Sequence, residues 1–171
     1  MIGFSRKKAH DGYLLGAIVV NAVRQAKART EAGKYDEYYY ATVAHYIGDL
    51  SQLLHMTVYD NFNKQNHLSI DDILTYKDVV WDVDGAGKIA SELHVDDSLR
   101  FNDESELIDY MLKVANESYD LAQRLRRENK ALTRQEALQR ASRSATLLRA
   151  VLRYCGRDVA PMDKLVLRKV S

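Results

Sequence analysis

The sequence predicts an all-α fold in a single domain, and three observations carry that expectation. Apolar residues recur at intervals of three and four along most of the 171 residues, and period-two alternation never lasts more than a few positions. Proline, which interrupts helices, occurs once, as Pro161 near the end. A chain of this length fits one compact domain with a real core rather than two, so residues 1–171 are expected as one domain, with the core at about 12–156 and 157–171 as a tail. A formal charge of +1 gives no basic excess for wrapping nucleic acid by bulk charge and no acidic excess of the disordered kind. The lone Cys155 excludes a disulfide scaffold and requires no oxidising compartment. No run reaches the roughly 18 apolar residues of a membrane span, so no transmembrane segment is expected.

Near the start, Arg6, Lys7 and Lys8 precede the apolar stretch Tyr13 to Val23 and the small residues around Ala26, an order that imitates a secretory signal. His10 and Asp11 separate the two parts, Asn21 and Arg24 interrupt the stretch, and Leu14, Leu15, Ile18, Val19, Ala22, Val23 and Ala26 keep helical spacing. The segment is therefore expected as a first amphipathic helix that Gly33 stops. A second helix is expected from about Asp36 to Leu54, facing Tyr39, Tyr40, Val43, Ala44, Ile47 and Leu50 inward. Asp60 to Asn66 reads as a polar loop, His67 to Val79 as a short helix, and Trp81 to Arg100, with Gly85 and Gly87, as irregular. Another helix opens at Asn102 or Asp103 and lines up Leu107, Ile108, Met111, Leu112, Ala115, Tyr119, Ala122 and Leu125. Thr133 and Glu136 have capping-box spacing, opening a last helix with Leu138, Ala141, Ala145, Leu148 and Leu152 inward and Gly156 at its end.

Chemistry is expected where His45, His55 and His67 fall within 23 residues of one another, together with Asp49 and Asp71. Residues four apart on a helix differ by only about 40° around the axis, so His45 shares a face with Asp49, and His67 with Asp71. Each pair presents an imidazole nitrogen and a carboxylate oxygen to one point, a combination that suits zinc. His55 is about 120° from Asp49 on a continuous helix and joins that face only if the helix ends or bends before it. Ser69 could cap the short helix and leave His67 outside it, whereas a start at Asn66 puts His67 and Asp71 on one face; the Asn66 start is preferred. Taken alone, either pair is also an ordinary surface interaction.

The run His45-Tyr46-Ile47-Gly48-Asp49-Leu50-Ser51-Gln52-Leu53-Leu54-His55 closely resembles the signature H-Y/F-x-G-D-x-x-Q-P-L/M-H of the zinc-dependent phospholipase C and single-strand-specific zinc nuclease superfamily. It matches at every ligand position, at Gly48 and at Gln52, with Leu53 where the family has proline. His67 and Asp71 resemble the second block of that family, and Ala115 to Ala122 its later helix, so the resemblance spans roughly Gly12 to Gly156. It implies a multi-helix phospholipase C/nuclease-like domain holding one to three zinc ions. His45 and Asp49 would ligate a first metal, with Asp49 bridging to another, and His55, His67 and Asp71 would ligate a separate one. Asp49 and Asp71 are thereby the acidic residues of catalysis. The activity implied is hydrolysis of a phosphodiester, either a phospholipid head group or single-stranded nucleic acid, by metal-activated water. Tyr46 leans towards the lipid side.

Family members take further ligands from an N-terminal segment; here only His10 and Asp11 precede the first helix, and His10 is the candidate substitute. The first metal is therefore expected to be weak. The alternative is a helical binding or scaffold protein that keeps the family fold with a reduced metal site. The single cysteine and the lack of a clear signal peptide favour the cytoplasm, although the family is often secreted. Trp81 to Ile89 imitates the front of a calcium loop, but Ala86 and Leu93 stand where oxygen ligands belong, so an ordinary Asp/Gly loop is expected. Trp81 itself is expected as core or a pocket wall. Tyr35, Tyr38, Tyr39 and Tyr40 read as core and rim of one helix or as a stacking surface. The arginines from Arg124 to Arg153 form either a solvated basic face or an anionic-surface contact.

Overall fold

The computed structural model describes residues 9–74, 83–157 and 159–160. Among these residues helix is the only regular structure, and the all-α class holds. The elements are α1 (Ala9–Glu31), α2 (Glu37–Ser51), α3 (Asn61–Asp71), α4 (Val83–Glu92), α5 (Glu104–Glu128) and α6 (Arg134–Tyr154). Helix ends follow local chemistry. Gly33, at φ +62°, turns the chain out of α1 while the Lys34 N–H closes back on the Arg29 carbonyl at 2.9 Å. Asn129 (φ 48°) does the same for α5, and Gly156 (φ +81°) follows α6. Asp103 caps α5 by accepting from the Glu106 N–H at 3.0 Å, and Thr133 with Glu136 forms the expected capping box of α6.

Helix α2 lies at the centre, packed on α1, α5 and α6. Its Val43, Ile47 and Leu50 meet Val19, Val23 and Ala26 of α1, Leu107, Met111 and Val114 of α5, and Leu147, Ala150 and Val151 of α6. Full burial of each Val, Leu or Ile stabilises the fold by about 1.5–3 kcal/mol. A smaller apolar cluster beneath α3 joins Leu53, Leu54 and Ile70 to Ala122, Leu125, Leu132 and Ala137. No helix among the described residues is long and apolar enough to cross a membrane.

Four expectations need correction. Asp60 to Asn66 is not a loop, and neither Asn66 nor Ser69 starts the helix: Asp60 caps α3 by accepting from the Asn63 N–H at 3.0 Å, so the helix begins at Asn61 and ends at Asp71. Asn-rich composition suggested a turn, but one well-placed cap and the burial of Asn63 and Ile70 outweigh it. The stretch read as irregular contains α4. Its two glycines each cost roughly 1 kcal/mol relative to Ala, and Glu92 at its end accepts two bonds from Arg134 at 2.5 and 2.8 Å.

On α5 the buried stripe is Leu107, Met111, Val114, Ser118, Ala122 and Leu125, so Ser118 replaces Tyr119, and Leu112 is exposed. The Ser118 hydroxyl, fully buried, lies 3.0 Å from the carbonyls of Leu50 and Val114, and this satisfies a polar group that the apolar pattern could not foresee. On α6 the most buried face is rotated by about one position, to Ala137, Ser142, Thr146, Leu147, Ala150 and Val151. The hydroxyls of Ser142 and Thr146 accept the backbone N–H groups of His94 and Asp96, both at 3.0 Å, pinning the segment after α4 against α6.

Candidate metal centre

The end of α2 decides where His55 goes. Ser51 is the last helical residue, and Gln52 leaves in an extended conformation (φ −83°, ψ 121°). Its side-chain carbonyl then accepts the N–H groups of Leu54 (2.6 Å) and His55 (3.2 Å), which bends the next turn back under the helix without a proline. Buried Leu53 and Leu54 anchor that turn in the small apolar cluster. The condition set by the sequence is thus met: the helix ends before His55, and its Nδ1 comes to 3.3 Å from Asp49 Oδ1.

Helix α3 brings the second pair. His67 Nε2 lies 3.2 Å from Asp71 Oδ2 across one turn, and the rings of His55 and His67 stack with centroids 5.1 Å apart and planes 17° from parallel. One donor atom from each of His55, His67 and Asp71 lies within 4.8 Å of the others. These residues come from two separate segments, so their convergence is tertiary rather than a property of helical spacing.

Polar neighbours fix the side chains of this cluster. The Gln52 amide nitrogen donates to Asp71 Oδ1, and its orientation is settled because its oxygen faces two backbone N–H groups. His67 Nδ1 lies 3.0 Å from Asn63 Oδ1, and Tyr59 stands edge-on to the His67 ring at 6.4 Å. Burial pushes the Asp71 carboxyl above the ordinary carboxylate value; the nearby negative charges of Asp72 and Asp49 add to this, while His67 and His55 oppose it. A cation held at this point would favour the charged carboxylate.

His45 joins only in part. Its Nε2 is 3.6 Å from Asp49 Oδ2, but its side chain is 69% exposed, and Asp49 stands between it and His55. Two donors, one of them largely solvated, are fewer than zinc normally takes from protein. His10 falls in the first turns of α1, but its side chain, like that of Asp11, lies outside the described residues, as do Trp81 and the start of the calcium-loop imitation; Val83 to Ile89 of that imitation is helical.

Beside Gln52 and Asp71 opens a cleft of about 220 Å³, walled by Leu53, Ile70, Leu74, Leu132 and Ala137, with Arg140 on one side. Most of the arginines of α5 and α6 are paired with acidic residues. Arg140 and Arg143 hold Glu117 at 2.8 and 3.2 Å, Arg149 and Arg153 hold Asp97 at 2.7 and 2.6 Å, Arg126 meets Asp60 at 3.1 Å, Arg134 meets Glu92, and Arg124 meets Glu136.

Two residues of the site went unassigned at the level of sequence. Gln52 carried no role, and Asn63 was hidden in an expected loop, although it sits four residues before His67 on the same helical face as His67 and Asp71. No protein-family model, no curated protein and no solved structure matches the chain.

Proposed function

We propose that the chain is a metal-dependent phosphoesterase whose His55, His67 and Asp71 hold a zinc ion, and that the likeness of its two His/Asp blocks to the phospholipase C and nuclease superfamily reflects a shared helical fold. The observation that carries this reading is the convergence of two imidazoles and a carboxylate, from two segments, within 4.8 Å. That donor set leaves zinc one open position. A tetrahedral shell with bonds of about 2.0–2.2 Å needs donors roughly 3.4 Å apart, so closing the cluster requires side-chain shifts of about 1 Å.

Bound there, the metal would supply an acidified water and polarise a phosphoryl oxygen. The protein's own residues do the rest. Gln52 holds the second oxygen of Asp71, and the charge of Asp49 lies against the same centre. The cleft walls offer apolar surface to one arm of the substrate, which favours a phospholipid phosphodiester over single-stranded nucleic acid. His45 and Asp49 would form a weaker second position, within the range of one to three ions.

The test is elemental analysis of protein purified without added metal, with His67→Ala alongside. It is followed by hydrolysis assays on a short-chain phosphatidylcholine and on a single-stranded oligonucleotide. About one zinc per chain, lost in the variant, and cleavage of the lipid are expected. Metal-free protein that zinc neither binds nor stabilises would overturn the reading in favour of a helical scaffold.

A further inference from the structure

The His67 ring is held between two acceptors, and one of them can be identified without ambiguity. Asn63 Nδ2 lies 2.8 Å from the Leu54 carbonyl and 3.2 Å from Thr57 Oγ1, whose own hydroxyl is 3.2 Å from that same carbonyl. A peptide carbonyl only accepts, so this end of the Asn63 amide is the nitrogen. The other end, Oδ1, is an acceptor and lies 3.0 Å from His67 Nδ1. Nδ1 must therefore carry a proton. On the opposite edge of the ring, Nε2 faces Asp71 Oδ2 at 3.2 Å, a second acceptor. A neutral ring has only one proton to give; with that proton on Nδ1, the Nε2 lone pair and the Asp71 carboxylate point at each other. A cation placed between them would be attracted by both.

Asn63 cannot easily turn to change this. It is 1% exposed, and rotating its amide would break its bonds to Leu54, Thr57 and His67 together. Through Leu54 it also ties the turn that carries His55 to the helix that carries His67 and Asp71.

We propose that Asn63 is a positioning residue of the metal centre: it keeps the His67 proton on Nδ1, so that Nε2, on the Asp71 side, is the nitrogen that takes the metal. This rests on the zinc reading above and adds which nitrogen binds and what sets it. A ligand histidine whose second nitrogen donates to a fixed acceptor is oriented and made more basic, and losing such a partner typically costs 10–100-fold in metal affinity.

The experiment uses the whole chain, isotope-labelled and titrated with zinc, with long-range proton–nitrogen correlation spectra to read each imidazole and calorimetry to read affinity. His67→Gln assigns the signals. In the parent, His67 should bind zinc through Nε2 and keep a protonated Nδ1. Asn63→Leu should lose that Nδ1 proton signal and bind zinc about 10–100-fold more weakly. Thr57→Val removes one acceptor of the Asn63 amide nitrogen but leaves the Leu54 carbonyl and the Asn63 oxygen facing His67, so it loosens the same turn, should keep the signal, and should lose much less affinity than Asn63→Leu. Zinc on Nδ1 of His67 in the parent would overturn the proposal while leaving the zinc reading intact, and so would equal affinity losses in Asn63→Leu and Thr57→Val. Absence of any zinc binding would instead remove the zinc reading, and this inference with it. If Asn63→Leu fails to fold, the parent spectrum alone decides the binding nitrogen.

Discussion

Asp49 is 17% exposed and stands between two imidazoles, 3.3 Å from His55 and 3.6 Å from His45. Replacing it with Asn keeps the shape and removes the charge. If the phosphoesterase reading holds, Asp49→Asn lowers hydrolysis of a generic aryl phosphodiester by at least about 10-fold, whereas Asn at the exposed Asp109 of α5 leaves it unchanged. Equal rates in the two variants would take Asp49 out of the centre. Asp60 would not serve as such a control, because its carboxylate caps α3. At Cys155 a different prediction follows. Burial pushes the thiol up to about 11, and the side chain is 2% exposed, so it is a core residue and not a nucleophile. A thiol reagent at neutral pH should label Cys155 only as fast as the protein unfolds. Rapid labelling of the native chain would contradict its placement between α6 and the Val23 carbonyl.

At the scale of elements, α3 matters most because it carries two of the three candidate ligands on 11 residues of low apolar content. Its start depends on Asp60, whose carboxylate accepts the Asn63 N–H and meets Arg126 of α5 at 3.1 Å. The cap holds the Asp60 carboxyl below its ordinary value. Asp60→Ala removes the cap and leaves Arg126 without that partner. A loss of about 1–2 kcal/mol in urea unfolding is expected, together with weaker zinc retention, if the zinc reading holds, because His67 loses its register. A variant with full stability would show that packing of Ile70 and Phe62 alone holds α3. The exit of α2 is the second decisive element: extended Gln52, rather than a proline, turns His55 back towards Asp49.

Across the whole molecule, charge is spent on tying segments together. Asp97, after α4, is gripped by Arg149 and Arg153 of α6, and Asp36, 4% exposed, joins the end of α1 through Thr30 to Arg157 beyond α6. Hydrogen bonds from Arg149 and then Arg153 hold the Asp97 carboxyl well below the usual carboxylate range. A carboxylate with a depressed folded pKa stabilises the fold at pH values above its unfolded pKa, near 3.9. That stabilisation fades as pH falls from there through the folded value. Solvent screens part of this attraction, because the Asp97 side chain is 35% exposed, so Asp97→Asn should lower stability by only about 1 kcal/mol at neutral pH, part of it from Arg149 left buried without its counter-charge. The gap between parent and variant should narrow steadily below about pH 4. A gap independent of pH in thermal melts would mean that the carboxylate charge contributes nothing.

The sequence alone determined the helical class, the positions of α1, α2, α5 and α6, and the two His/Asp pairs, because each depends on spacing within one segment: apolar residues at three and four, caps at fixed offsets, and donors one turn apart. It misread α3 and α4, where Asn and Gly signals for a turn were outweighed by a cap, by burial and by ion pairs to distant segments. It also misjudged which face of α6 and which residue of α5 go inward, since Ser118, Ser142 and Thr146 are buried for their hydrogen bonds to other parts of the chain. The grouping of His55 with His67 and Asp71 was expected through the family resemblance and not from spacing; their actual approach, and the hold of Gln52 and Asn63 on them, belong to the tertiary structure. The two segments are joined by a reversal of the chain between α2 and α3, and its direction is set by side-chain hydrogen bonds and by packing against α5 and α6, which no local periodicity encodes.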